Sequence, residues 1–322
     1  MLLPRVLLFA LFAAILAGGA VVTCESQRLN HVASLIGPPE PRRFARLGLV
    51  AAGTGGTYEN PERLGPVLAV GFAERVVLVD AGRATAQALR HARIAADQPD
   101  TVYLTSVLPE NVLGLDDLLV SAWLAPRAKA LRVVGPAGTR ALVAGLEAAH
   151  RGGVAALAAT LGLDPALAGI DVVEAGDGFE ESAEGLTARA AALQGGPLAA
   201  LAWRFEAGGQ ALAVCGAGWD PGAVERLAQG ADVLVLGALN PGSLEAGLQA
   251  EGGEAARLRG EATLHARLDQ VGGIAERAGV HTLLLVRLLP PPLRSFQYTR
   301  VVRRSFGGNV LVAEDGDEIL TR

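Results

Sequence analysis

The sequence is short of the residues that most often announce chemistry. Cysteine occurs twice, as Cys24 and Cys215, too few for a disulfide framework and with no C-x-x-C pair. The five histidines, His31, His91, His150, His265 and His281, are scattered and offer no H-x-x-E-H zinc spacing. Lys129 is the only lysine, which removes the lysine of a Walker-type phosphate loop. Basic residues do not outnumber acidic ones: 28 against 33 give a formal net charge of −5, so strong non-specific nucleic-acid binding is not expected. Aromatics make up 4% of the chain while glycine occurs 41 times, a balance that points to many tight turns. Apolar residues are plentiful at 51%, charged ones stand at 19%, and the mean hydropathy of +0.35 excludes a disordered chain. Its 322 residues make two domains at roughly 150 each, or one large α/β unit.

Arg5 precedes an unbroken apolar stretch from Val6 to Val22, the pattern of an export signal or a short membrane anchor. Gly18, Gly19 and Ala20 are small enough for a cleavage site. Cys24 invites a lipoprotein reading, although Thr23 is larger than the residue usually found before a lipidated cysteine. The alternative is a buried helix, against which stands the polar, proline-containing stretch from Glu25 to Arg43. The expected organisation is therefore a signal or anchor over residues 1–24, a linker over 25–46 and a folded domain over 47–322. The expected location is the periplasm or the inner membrane.

Beyond Arg46, short apolar runs alternate with Ala/Leu-rich helical stretches, the signature of an α/β protein. Strands are predicted at Leu47–Ala52, Val67–Val70, Val76–Asp80, Val102–Thr105, Leu131–Val134, Ile170–Glu174, Leu186–Leu193, Ala199–Phe205, Ala211–Cys215, Val233–Leu236, Thr282–Leu288 and Val310–Ala313. Helices are predicted at Ala84–Ala96, Leu115–Trp123, Thr139–Leu161 with a break at Gly152-Gly153, Pro221–Gln229, Leu244–Arg259 and Leu268–Ala278. Both halves open with strands and continue with a helix, which suggests two pseudo-equivalent layers.

Several segments, in their order and spacing, resemble the metallo-β-lactamase fold superfamily, and within it the branch of RNase Z and arylsulfatase-like exported hydrolases. They are Leu49–Gly56 (LVAAGTGG), Val79-Asp80-Ala81-Gly82, Val102–Thr105, Gly114-Leu115, Val134-Gly135-Pro136, Gly230–Val235, His265–Val280 and Leu283–Val286. The resemblance covers about Leu47 to Leu320. It implies a four-layer αββα sandwich with a metal site at one edge, between two sheets.

At that site the sequence departs from the family. Where the family has H-x-H-x-D-H, this chain reads Ser106-Val107-Leu108-Pro109-Glu110-Asn111. The later ligand positions implied by the resemblance fall on Gln194, Ala217 and Arg287. Leu108 and Ala217 have no donor atom, and the Arg287 guanidinium stays protonated at any accessible pH. Family catalysis relies on metal ions that lower the pKa of water from about 15.7 to about 7. The expectation is therefore a pseudo-hydrolase with no cofactor, in which Glu110 and Arg287 pair across the emptied site, helped by Ser106, Asn111 and Gln194. The alternative is a hydrolase of phosphodiesters, sulfate esters or related esters that carries two zinc or manganese ions. A small ligand or a protein partner is expected for the cleft, with homo- or hetero-dimerisation open.

Other chemistry is weaker. No serine elbow accompanies the histidines, so a Ser/His/Asp triad is not expected. His265 reads as a capping or packing residue. Cys215 begins a Gly turn that, at a helix N-terminus, would lower a thiol pKa, while its plainer reading is a small buried residue. Gly53-Thr54-Gly55-Gly56 and Gly216-Ala217-Gly218 are not G-x-G-x-x-G motifs. Arg300, Arg303 and Arg304, beside Tyr298 and Phe306, read as a solvated late loop, with an anion or membrane-surface contact as the alternative.

Overall fold

A computed structural model describes residues 18–19, 21–29, 39–125, 127–216, 218–250, 259–260 and 263–322. The chain divides into two units, residues 1–40 and 41–322. In the first, residues 21–29 are helical and exposed, and Cys24 is an exposed free thiol. Most of the expected signal or anchor, including Val6 to Ala17, lies outside the described residues. No helix among the described residues is long and apolar enough to cross a membrane.

The second unit begins ahead of the expected Leu47, because Arg42 is already anchored, with Nη1 donating to the Ala92 carbonyl at 2.9 Å and Nη2 paired with Glu318 at 2.6 Å. Its first half runs β1 (Phe44–Gly53), β2 (Val67–Ala73), β3 (Arg75–Val79), α1 (Thr85–His91), β4 (Thr101–Tyr103), α2 (Pro109–Val112), α3 (Leu115–Leu124), β5 (Leu131–Gly135), α4 (Thr139–Leu161) and β6 (Ile170–Glu174). Its second half runs β7 (Glu180–Ala183), β8 (Leu186–Leu193), β9 (Ala200–Ala207), β10 (Gln210–Cys215), α5 (Pro221–Leu227), β11 (Val233–Leu239), α6 (Pro241–Ala250), α7 (Leu268–Arg277), β12 (Thr282–Leu289), α8 (Phe296–Val302), β13 (Asn309–Val312) and β14 (Asp317–Leu320).

The strands form two seven-stranded sheets, ordered β14-β1-β2-β3-β4-β5-β6 and β13-β12-β11-β10-β9-β8-β7. Each sheet is antiparallel in one part and parallel in the other: β1–β3 are antiparallel and β3–β6 parallel, while β7–β10 are antiparallel and β10–β13 parallel. Side chains alternate across a strand, so each sheet has two faces to bury. Leu47, Leu49 and Ala51 of β1 point between the sheets, where they join Trp203, Phe205, Val214 and Leu284 in one apolar cluster. Val50 and Ala52 point the other way, into a cluster with Leu89, Leu115 and Val143 of the helices on the outer face. The second sheet does the same with Val224, Val271, Ile274 and Val302. The result is an α/β sandwich of four layers, in which doubly covered strands read as continuous apolar runs.

Three local differences from the sequence reading have physical causes. Helix α4 passes through Gly152-Gly153 unbroken: both glycines are exposed, with open space around them, and a helical glycine costs only about 1 kcal/mol, which does not stop a long helix. Helix α1 ends at His91 rather than Ala96, and Arg93 just beyond it takes a left-handed φ of 57°, outside helical space. The segment read as a late loop holds α8, which buries Tyr298 and Val302, with Phe306 buried just beyond. The end of the predicted helix Leu244–Arg259 falls largely outside the described residues.

Candidate functional site

The site is built where β3 and β4 end, opposite a distortion in β12. Past Arg75, β3 is apolar, and Asp80 follows it directly, 3% exposed, with a left-handed φ of 61°. A carboxylate there must find donors, and it does. Thr105 donates its backbone N–H at 2.8 Å and its hydroxyl at 2.8 and 3.0 Å to the two carboxylate oxygens. The turn after β4 then enters α2 through Pro109, whose fixed φ suits a first helical position. This short helix places Glu110 and Asn111 beside Asp80. Asn111 Nδ2 donates to the Thr105 hydroxyl at 2.6 Å, and the Asn111 carbonyl accepts from the Ala81 N–H at 2.7 Å.

Arg287 comes from the other sheet. It lies inside β12 with a φ of 49°, where the pairing with β11 slips between Gly237 and Leu239, the mark of a β-bulge. The Arg287 N–H leaves the ladder and donates to the Thr54 carbonyl at 2.8 Å. The side chain is only 3% exposed. Its guanidinium meets Asp80 at 3.5 Å, the Asn111 side-chain Oδ1 at 3.2 Å, and Glu110 in a close ion pair. The other Glu110 carboxylate oxygen accepts a hydrogen bond from the Thr57 hydroxyl. Arg287 Nε is buried without a partner among the described residues.

One cation therefore stands between two carboxylates, Asp80 and Glu110, which leaves one excess negative charge when all three are ionised. Burial pushes the Asp80 carboxyl up to about 6, against the opposing effects of Arg287, Thr105 and Asn111. Protonation of Asp80 thus brings the cluster to neutrality just below the physiological range.

The loop between β1 and β2 closes over this cluster. Asp315 accepts hydrogen bonds from the Thr54 N–H at 2.8 Å, the Thr54 hydroxyl at 2.6 Å and the Leu64 N–H at 2.6 Å. Arg63 spans Thr54 Oγ1 at 2.8 Å and the Ala313 carbonyl at 2.7 Å. A small cleft of about 30 Å³ remains beside Arg287, lined among others by Thr54, Thr57, Asn60, Arg63 and His265.

Of the residues singled out in sequence, Glu110, Asn111 and Arg287 come together. Ser106 is buried at 1% exposure, and its hydroxyl accepts from the Leu108 N–H at 3.1 Å rather than bonding to Arg287. Leu108 precedes α2 as its N-cap. Gln194 is the correction: it lies exposed at the end of β8, with its backbone N–H on Asp220 at 3.4 Å, away from the guanidinium. The Ala217 position lies outside the described residues. Asp80 was overlooked as a partner, although an acidic residue closing the run Val76-Val77-Leu78-Val79 was the signal. Cys215 is buried and its thiol is pushed up to about 12 by burial, so the reading as an activated thiol gives way to that of a small core residue.

A metal-dependent enzyme of the fold implied by the sequence would hold divalent ions here, and the residues do not fit them. No three His, Cys, Asp or Glu side chains among the described residues converge on a point. The two carboxylates nearest the position are taken up by a guanidinium, a fixed cation with no lone pair to offer.

Comparison with known proteins places this architecture. The chain is 29% identical over 272 residues to a ribonuclease Z of Mycobacterium avium, covering 82% of this chain and 94% of the relative. It is 27% identical over 285 residues to a ribonuclease Z of Mycobacterium bovis, covering 84% and 96%. Among solved structures, the metallo-β-lactamase fold protein YhfI from Bacillus subtilis superposes with a TM-score of 0.65 at 16% identity, covering 85% of this chain and 99% of that one. This chain is a metallo-β-lactamase-fold protein with an RNase Z-like sequence. The short form of human tRNase Z has the same fold, with a TM-score of 0.61 at 15% identity and 85% and 99% coverage. So does Zn²⁺-bound PqqB from Methylobacterium extorquens, with 0.58, 17%, 84% and 99%. No family model matches the chain. Within a metallo-β-lactamase fold, the Asp80–Arg287–Glu110 cluster sits at the sheet edge where the resemblance puts the metal ligands.

Proposed function

We propose that this protein is a non-catalytic member of its hydrolase-fold family, a pseudo-hydrolase that keeps the scaffold and the edge cleft for binding a small ligand or a protein partner. The observation that carries this reading is the buried Arg287 guanidinium, held by Asp80, Glu110 and Asn111 where family chemistry would need cations. A guanidinium supplies positive charge but neither polarises a bound water into hydroxide nor offers an open coordination position. The apolar stretch from Val6 to Val22 supports a place at the cell envelope, exported or anchored. The cleft bounded by Thr54–Tyr58, Arg63, His265 and Leu288 is the surface left for recognition.

The test is metal analysis of the full-length protein after incubation with zinc or manganese and desalting, together with turnover of chromogenic phosphodiester and sulfate-ester substrates. The expected result is no stoichiometric metal and no turnover sensitive to a chelator. Retention of about two equivalents of metal, with activity that a chelator abolishes, would restore the hydrolase reading.

A further inference from the structure

Charge is unevenly distributed along this acidic chain. Between Glu276 and Glu314 no acidic residue occurs, while six arginines do: Arg277, Arg287, Arg294, Arg300, Arg303 and Arg304. Arg277 is paired with Glu225 at 2.9 Å and Arg287 is buried in the site, which leaves four. Those four are exposed, and among the described residues none lies within ion-pair distance of a carboxylate.

The structure sorts this segment by face. Tyr298 and Val302, one helical turn apart in α8, are buried against the core with Phe306. Phe296, Arg300 and Arg303 recur at intervals of four and three residues on the outward face, with Arg304 beside them. Phe296 is 58% exposed, and Leu293, in the turn that leads into the helix, is 91% exposed. An aromatic ring and a leucine standing in water beside four unpaired guanidinium groups gain little from solvent, and a purely electrostatic contact does not require them. Together they match a surface that offers negative charge above hydrocarbon.

We infer that the face formed by Leu293, Arg294, Phe296, Arg300, Arg303 and Arg304 docks on an anionic lipid bilayer. Leu293 and Phe296 enter the headgroup region, and the arginines lie among the phosphates. The inference does not depend on the chain's amino-terminal apolar stretch or on the absence of catalysis. The same segment supplies Leu288, Leu289 and Pro291 to the cleft, so the docked face and the cleft mouth share one stretch of chain.

Phe296→Trp in the full-length protein gives a reporter confined to this face, whose emission is read as the difference from the wild type. With phosphatidylglycerol vesicles the added tryptophan should shift to the blue and be quenched by brominated acyl chains. Phosphatidylcholine vesicles should leave it unchanged. Adding Arg300→Glu, Arg303→Glu and Arg304→Glu should weaken the response by about fivefold per arginine or more, as should raising the salt. No shift on anionic vesicles, or an equal shift on neutral ones, overturns the inference. So does a shift produced by polyuridylate in place of vesicles, which would make this a nucleic-acid face. Retained near-ultraviolet circular dichroism in the triple variant shows that loss of the response is not loss of fold.

Discussion

Arg287 is the side chain whose removal tests the most. In Arg287→Met the apolar stem is kept and the charge lost, so Asp80 and Glu110, with side chains 4% and 9% exposed, remain in the interior without a cation. Deleting one partner of a buried ion pair costs about 3–5 kcal/mol, most of it the uncompensated charge left behind. With a urea dependence near 3 kcal/mol/M, the unfolding midpoint should fall by about 1–1.7 M at pH 8. The loss should also depend on pH. The folded-state pKa of Asp80 is already raised, from 3.8 to about 6, so this group favours the folded state fully below pH 3.8 and loses that contribution as pH rises through 6. Without the guanidinium its proton is held more tightly still, and the variant should therefore lose less stability at pH 5 than at pH 8. Combining Arg287→Met with Asp80→Asn and Glu110→Gln should recover most of the midpoint, because neutral groups of the same shape replace the charges. A loss below about 1 kcal/mol, or a gap from wild type that widens towards pH 5, would refute the account of a buried, mutually dependent cluster.

Other expectations follow from particular contacts. Asp315→Ala removes the acceptor for Thr54 and Leu64 and should cost about 2 kcal/mol in denaturant unfolding, with the loop over the cleft becoming sensitive to protease. Gly216→Ala would place a Cβ 2.3 Å from the Thr105 hydroxyl and 2.8 Å from the Asp80 carboxylate; thermal unfolding should show a loss of about 1–3 kcal/mol. In a thiol titration of the native protein at pH 8, exposed Cys24 should react promptly, and buried Cys215, with its thiol pushed up to about 12, only after denaturant is added. Two thiols reacting at once in the native protein would contradict that burial.

The strands that the sequence made legible are those whose apolar side chains pack, fully or partly buried, on one or both faces. Ile170–Glu174 and Leu186–Leu193 match β6 and β8 to the residue, because apolar runs and period-two patterns are what sheet burial imposes. Glu180–Ala183 and Asp317–Leu320 escaped notice because, unlike the apolar edge strand β6, these edge strands carry mostly polar, exposed residues, so their pairing is set by their neighbours and not by their own pattern. Helix α8 was hidden by three prolines before it and by its seven-residue length. At the site, the positions of Glu110 and Arg287 were readable through motif order. Gln194 was placed beside them by the same reasoning, and failed because it says which strand end a residue occupies but not whether its side chain turns inward. Asp80 lies 207 positions from Arg287, so only the closed sandwich reveals their contact.

The ion cluster has a mechanical meaning as well. Asp80 and Glu110 are carried by the end of β3 and by α2, on the side of the first sheet, whereas Arg287 is carried by the second. Prising the two leaves apart would strand opposite charges against hydrocarbon on each half, so the cluster acts as a clasp at the rim of the seam. Such a clasp couples the melting of one leaf to that of the other, and a partly opened molecule with a single intact sheet becomes a poor resting place on the way to the unfolded chain.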